Sequence, residues 1–372
     1  MRVGILTFHH TYNYGASLQA FALQTYLESL GHEVFIINYL NDKMYEEFRF
    51  SVFSKKHSLR YNLLKLYNVP SQLRKRKRFD SFDKNYLHIT KKRLRTSEEL
   101  SALLKDFDRI VVGSDQVMNL VGTGFDYNYY LDFDIPSYKK ATYAPSFGLQ
   151  NLDEDIKKKI AELLSDIKYL NSREENGTEL IKELTGRDTP LVCDPTFLLE
   201  KEQWERYAIL PKLKQPYVLI YSFNAYPAIE KAAMEKAKEI GGIVVDIHRF
   251  IPQYKKGYCL KRDIGPLEMI GLLLGASYVF TNSFHGAAIS LNFNKNVIIF
   301  KHPIDESKGQ FNSNLRLITL ARVLGIEDRL VSLNETTPSG DIDYTTVNER
   351  LGVWRRDSIQ EITKIFEVHE TK

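Results

Sequence analysis

The stretch Val3–Ile37, VGILTFHHTYNYGASLQAFALQTYLESLGHEVFII, decides how the rest of the chain is read. It opens on a short apolar run, Val3–Phe8. Ala20, Leu23, Leu27 and Leu30 then recur at helical spacing, and Gly31 fits a helix stop. Val34–Ile37 is β-branched and aromatic, the mark of a strand. Strand, polar turn, helix and strand within 39 residues form the opening unit of a parallel, doubly wound sheet.

The unit recurs along the 372 residues. Strands are expected at Arg109–Val112, Ala141–Ala144, around Tyr169-Leu170 and at Leu191–Cys193, with a helix carrying Ile156, Ile160, Leu163 and Ile167 on one face. After a polar stretch with Pro211 and Pro216 the alternation restarts. Strands at Tyr217–Tyr221, Ile243–Ile247, Tyr278–Phe280 and Val297–Phe300 are interleaved with helices, one opened by Gly265-Pro266 and closed by Gly275. Two further helices, Leu315–Leu324 and about 347–366, end the chain. The architecture expected is α/β, with two Rossmann-like domains facing across a cleft: residues 1–205, then 212–345, then a C-terminal helix over 346–372. Residues 40–100 read as a basic helical insertion in the first domain.

Composition bounds the function. Apolar residues make up 43% and charged residues 26%, as in an ordinary globular protein. Cys193 and Cys259 are the only cysteines and form no CxxC pair, so neither a zinc site nor a disulfide framework is indicated. The N-terminus reads as a strand rather than a signal peptide, and no apolar run is long enough to span a bilayer; a cytoplasmic protein is expected. Charge is uneven: residues 55–95 carry 14 Lys/Arg against two Asp, an excess of +12, so the remainder nets −8 against a total of +4. This region is either a solvated helical face or a patch for an anionic membrane surface, such as the inner face of the cell membrane, or for a phosphorylated substrate. No nucleic-acid motif accompanies it.

Ligands of open parallel sheets sit beyond the carboxyl ends of the strands, and each polar cluster of the chain falls at such an end. The first turn offers Asn13, Tyr14, Gly15 and Gln19 as cleft residues. Its single glycine argues against a dinucleotide fingerprint, although its helix N-terminus suits an anion. The second turn brings Ser114, Asp115 and Gln116; Asp115 is a candidate base or a plain helix cap. Ser146 and Phe147 follow the next strand. Arg173 leaves a strand end with a fork that grips carboxylate or phosphate, or else pairs with Glu174 or Glu175 at the surface. In TNSFHG, Thr281–Gly286, His285 stands just inside a helix start, where it can donate a proton near neutral pH; a packed histidine capped by Ser283 is the plainer reading. Asp132-Phe133-Asp134 has the spacing of a metal-binding D-x-D, a pattern common in loops. No metal site or cofactor is expected, and no hydrolase elbow, zincin or P-loop pattern is present.

Taken in order, NYGASLQ (13–19), GSDQ (113–116), SFG (146–148), SRE (172–174), DPT (194–196) and TNSFHG (281–286) resemble the polysaccharide pyruvyl transferase family. The resemblance covers residue 1 to about 330. It implies a fold similar to GT-B glycosyltransferases and transfer of pyruvate from phosphoenolpyruvate to a sugar, often as a cyclic ketal. The acceptor would be a polymeric or lipid-diphosphate-linked glycan precursor of a capsule or exopolysaccharide. By the same resemblance Arg173 binds the donor's carboxylate or phosphate and His285 lies at the reacting centre; as acid we assign His285, as base Asp115, and as further donor contacts Asn282, Ser283 and Gly286. One departure stands out: other branches of the family have S-R-L-H here, and the arginine position holds Ser283. Lys301, His302 and Arg316 are candidates for the missing cation. The alternatives are a GT-B-type glycosyltransferase using a nucleotide-sugar and a non-catalytic glycan-binding protein.

Overall fold

The computed structural model describes residues 1–49, 59–148, 152–247, 256–303 and 314–367. Two parallel sheets organise them. The first has four strands in the order β2-β1-β3-β4: β1 (Arg2–Leu6), β2 (Glu33–Ile36), β3 (Arg109–Val112) and β4 (Lys140–Thr142). The second has six in the order β10-β9-β8-β5-β6-β7: β5 (Tyr217–Tyr221), β6 (Ile243–Asp246), β7 (Tyr258–Leu260), β8 (Tyr278–Thr281), β9 (Asn296–Phe300) and β10 (Leu330–Val331). Every strand pairing is parallel. Parallel strands are covered on both faces, which is why β5 reads as an unbroken apolar run and β3 is apolar after Arg109, both being buried throughout.

Helices fill the crossovers. The first half carries α1 (Tyr14–Ser29), α2 (Asp42–Phe48), α3 (Leu59–Tyr86), α4 (Ser97–Leu104), α5 (Leu120–Thr123), α6 (Glu154–Asp166), α7 (Glu175–Thr185) and α8 (Lys201–Glu205). The second carries α9 (Pro227–Glu239), α10 (Pro266–Gly275), α11 (Phe284–Asn292), α12 (Leu315–Leu324) and α13 (Tyr344–Phe366). Helix α13 returns to the first half: Trp354 Nε1 donates to Leu191 O at 3.1 Å, and Ser358 Oγ accepts from Cys193 N at 2.8 Å. None of the helices described is long and apolar enough to cross a membrane.

Two expected strands are absent. Tyr169 and Leu191 each form one isolated parallel bridge, to Ala141 and Ser172. The reason lies in a side chain. The Asn171 amide donates to Thr142 O at 2.8 Å and accepts from Ala144 N at 2.7 Å, so it takes the place of a backbone ladder. At the next position Ser358 takes the Cys193 N–H. Conversely, the edge strands β7 and β10, three and two residues long, carry no periodicity that a sequence pattern would reveal.

The basic region centres on helix α3, and most of its densest cations have partners. Arg74 Nε donates to Asp263 at 2.7 Å, and Arg78 pairs with Glu268. Lys75 Nζ lies 4.5 Å from the Tyr14 ring centroid, and the Arg76 guanidinium lies 4.0 Å from that of Tyr12. Phe79 and Phe82 anchor the helix in the core. The clamp thus joins the two halves instead of presenting an unbroken cationic face. Lys55 and Lys56 lie outside the described residues.

Candidate active site

The polar turns converge where the two sheets' strand ends meet. Asp194, after the buried run Leu191–Cys193, lies at the centre and is fully buried. Its Oδ1 accepts from Thr196 N at 3.0 Å and Thr196 Oγ1 at 2.8 Å. Its Oδ2 accepts from Ser114 Oγ at 2.7 Å and from Arg173 Nη1 at 2.6 Å. Burial alone pushes this carboxyl up; the charges of His285 and Arg173 and the Thr196 N–H outweigh it and hold Asp194 well below the usual carboxylate range.

Arg173 is 1% exposed, against the expectation that a surface pair with Glu174 or Glu175 might hold it. Its guanidinium lies 4.3 Å from the Phe284 ring centroid, a cation–π contact from the other half. Nη1 is spent on Asp194 and Ser114, whereas Nε and Nη2 are buried without a hydrogen-bond partner. Asp115 Oδ1 lies 3.8 Å from Nη2. Two N–H edges of a buried, permanently charged fork left open mark a place where an anion fits.

His285 is 6% exposed on the first turn of α11. Its Nε2 lies 3.3 Å from Arg173 Nη1 and 3.5 Å from Asp194 Oδ2. The ring therefore has a neighbour for each state: it accepts from the guanidinium when neutral and donates to the carboxylate when protonated. The other side of the ring rests on Gly15. A Cβ at position 15 would lie 2.5 Å from His285 Cγ, closer than real Cβ contacts come. Gly286 is a place of close approach by the protein itself, since a Cβ there would meet Thr281 Oγ1 at 2.5 Å and Tyr221 Cδ1 at 2.7 Å.

Ser283 caps α11, its Oγ accepting from Gly286 N at 3.2 Å. Of the cations expected to serve in place of an arginine at position 283, Arg316 on α12 is the one that feels the charges of Arg173, Asp115 and Asp194. That helix docks on the SRE turn: Glu175 N donates to Thr319 Oγ1 at 3.3 Å, and Arg322 pairs with Glu175. Burial, then the Arg173 charge, pushes the Arg316 guanidinium down to about 10, while Asp115, Glu174 and Asp194 oppose the shift. Its Nε is also buried without a partner. His302 lies nearby; its Nε2 is 2.8 Å from Asn282 O, and burial lowers its pKa despite that bond. Lys301 goes elsewhere: its N–H donates to Val331 O at 2.8 Å, and its charge is felt at Glu335.

The remaining expected residues divide into those at the cluster and those beneath it. Asp115 holds φ of 77° and takes Gln116 N on its Oδ1 at 2.8 Å, while its carbonyl accepts from Ser146 N at 2.9 Å. A non-glycine residue in that region is strained, and strain of this kind gathers at functional sites. The Ser146 hydroxyl is buried without a partner, and so is Asn282 Nδ2, although Asn282 Oδ1 accepts from Phe223 N at 3.0 Å. Asn13 caps α1 by accepting from Gly15 N at 2.9 Å. Three residues expected to line the cleft serve as struts. Gln19 Nε2 donates to Thr7 Oγ1, Phe8 O and Ala16 O; Tyr14 OH donates to Ile264 O at 3.3 Å; Phe147 packs in the core with its N–H on Glu174. Asp132 pairs with Lys159 at 3.0 Å while Phe133 is core, so the D-x-D is not assembled as a ligand pair. Asp194, quoted only as part of DPT, is the residue that sequence reasoning passed over. Its signal was the one the others shared, an acid directly after a buried apolar run.

The fold and the cluster define a two-domain α/β protein with a charged site between the strand ends of two parallel sheets. The chain belongs to the polysaccharide pyruvyl transferase family, whose model matches residues 13–303. Among curated proteins none matches the sequence. In fold it is similar to UDP-GlcNAc 2-epimerase of Neisseria meningitidis, at 11% identity over 98% of this chain and 100% of that one, with a TM-score of 0.47. UDP-GlcNAc 2-epimerase of Methanocaldococcus jannaschii follows at 11% over 95% and 93%, TM-score 0.43. Spinosyn forosaminyltransferase gives 14% over 98% and 94%, TM-score 0.38. These likenesses are of fold alone.

Proposed function

We propose that this protein transfers pyruvate from phosphoenolpyruvate to hydroxyls of a sugar, closing a ketal on a polymeric or lipid-diphosphate-linked glycan precursor of a cell-surface polysaccharide. The observation that carries this reading is the buried Arg173 guanidinium beside His285, with Nε and Nη2 taking no hydrogen-bond partner, while Arg316 on α12 feels its charge. Two cations that feel each other favour a multiply charged anion, and phosphoenolpyruvate offers both a carboxylate and a phosphate.

The chemistry follows from the groups present. His285 protonates the donor's methylene carbon, and cationic character develops at the adjacent carbon. A sugar hydroxyl oxygen bonds to that carbon and gives its proton to Asp115. The carbon–oxygen bond to phosphate then breaks, and phosphate leaves. A second hydroxyl attacks the same carbon and closes the ketal. One hydroxyl proton ends on the new methyl group and the other on phosphate, so the balance is donor plus diol giving ketal plus phosphate. Asp194 sets a carboxylate beside the His285 ring, and the arginines hold the donor's charges.

The test is incubation with phosphoenolpyruvate and a panel of sugar acceptors, following phosphate release and acceptor mass by mass spectrometry. Phosphate release coupled to a gain of one pyruvate less water supports the reading. Release of a nucleoside diphosphate from a nucleotide-sugar, with none from phosphoenolpyruvate, would sink it.

A further inference from the structure

A second polar cavity opens off the same turn that carries Gly15. Its volume is about 400 Å³, and it is lined by His10, Asn38, Asp80, Asp83, Lys84 and Arg93 among others. It lies at the carboxyl ends of β1 and β2, the edge where ligands of parallel sheets bind. Its floor is tied down: Asn38 N donates to Thr90 Oγ1 at 2.9 Å, and Asn38 Nδ2 donates to Thr90 O at 3.4 Å. His10 belongs to the β1–α1 turn, five residues before Gly15, so at most about 18 Å of extended chain separates the cavity from the His285 contact.

The wall holds acceptors that nothing satisfies. Asp83 is 7% exposed; its Oδ2 lies 2.9 Å from His10 Nδ1, while its Oδ1 is buried without a hydrogen-bond partner. Asn38 Oδ1 is in the same state. Buried unmatched acceptors are costly, and their natural complement is a pair of donors, such as hydroxyls. The rim differs: Lys84, Lys91 and Arg93 are exposed cations at the mouth. Burial pushes the Asp83 carboxyl up to about 7, so the cavity is less negative than its two aspartates suggest. A neutral sugar answers only the wall and inorganic phosphate only the rim.

We infer that this cavity binds a sugar phosphate, its hydroxyls on Asp83 and Asn38 and its phosphate on Lys84, Lys91 and Arg93. The inference rests on the pyruvyl-transfer reading for its role, which is to anchor the phosphate-bearing part of the acceptor while the reacting sugar reaches His285. The phosphate can come from a nucleotide carrier or a lipid carrier; the chemistry is the same.

The test uses the full chain and titration calorimetry with glucose, galactose and N-acetylglucosamine 1-phosphates, the free sugars, inorganic phosphate and phosphoenolpyruvate. At least one hexose 1-phosphate should bind tighter than both its sugar and phosphate. A Lys91→Ala/Arg93→Ala double variant, altered only at exposed rim positions, should weaken it about 10-fold or more, and Asp83→Asn should weaken the hexose 1-phosphate and the free sugar alike. No binding of any hexose 1-phosphate, or equal binding by wild type and rim variant, overturns the inference. A nucleoside diphosphate-hexose and a short-chain polyprenyl diphosphate-hexose identify the carrier; loss of either in the rim variant supports the site, and loss of neither contradicts it. Rim-dependent sugar phosphate binding without phosphoenolpyruvate binding keeps the cavity and removes the pyruvyl-transfer reading; the converse removes the cavity alone.

Discussion

Helices α1 and α11 both follow the carboxyl end of a central strand, and both have a glycine on the first turn, yet they use that turn in opposite ways. In α11 the turn presents a side chain, His285, and its glycine lets the helix sit on Thr281 and Tyr221. In α1 the turn presents bare backbone, and its glycine leaves room for the histidine of the other half. One start carries the chemistry and the other makes the socket for it. A site at a junction of two domains can be built this way only if one wall gives up its side chain.

The largest effect expected from breaking this division is at His285. Replacing it with Ala should lower turnover about 100-fold or more, the scale of a lost acid–base group, with unfolding curves close to wild type. Gly15→Ala should come next, because its Cβ forces the ring out of its place; turnover should fall about 10- to 100-fold for an ångström-scale misplacement. Gly286→Ala sharpens the contrast. It should act first on stability, by about 1–3 kcal/mol of overpacking read in denaturant. Wild-type activity in Gly15→Ala would show that the socket does not position the histidine.

Smaller effects test the surroundings. Ser283→Ala should cost about 1 kcal/mol as a lost cap and leave donor binding intact, since the charge is met by Arg316. The mildest expected change is in pH dependence. The folded Asp83 carboxyl is raised to about 7, so the folded state holds its proton more tightly than the unfolded one, whose carboxyl titrates near the usual value of about 4. Stability from this group is therefore present below about pH 4 and lost as pH rises through 7. Asp83→Asn should gain stability relative to wild type at pH 8 and less at pH 5, as thermal melts would show. His9, lowered to about 3 by burial, works the other way: its penalty sets in as pH falls below about 6.5.

Much of the frame was legible because it rests on apolar runs and caps. Arg109–Val112, Tyr217–Tyr221 and Leu315–Leu324 were read at their observed bounds. The strands expected at Tyr169 and Leu191 failed for a reason that apolar content does not carry: Asn171 and Ser358 occupy the hydrogen bonds that neighbours would have supplied. The site shows the same limit. Each polar turn was placed at a strand end by its local pattern. Which turn touches which was not readable, because Arg173 and His285 meet across 112 positions. Asp194 rather than Asp115 lies beside the histidine, and it is Gly15 that approaches the ring while Gly286 approaches Thr281 and Tyr221. The pairing of Arg74 and Arg78 was likewise invisible in a run of like charges, since Asp263 and Glu268 are supplied from the other half.

The central claim is that Arg316 serves in place of an arginine at position 283 and, with Arg173, holds the donor at His285. The most direct measurement is calorimetric titration of phosphoenolpyruvate into wild type, Arg316→Ala and His285→Ala. The account expects wild type to bind, Arg316→Ala to bind about 10- to 100-fold more weakly, as for a lost charged hydrogen bond of about 1.5–3 kcal/mol, and His285→Ala to bind nearly as wild type. Equal affinity of Arg316→Ala and wild type for phosphoenolpyruvate would contradict it.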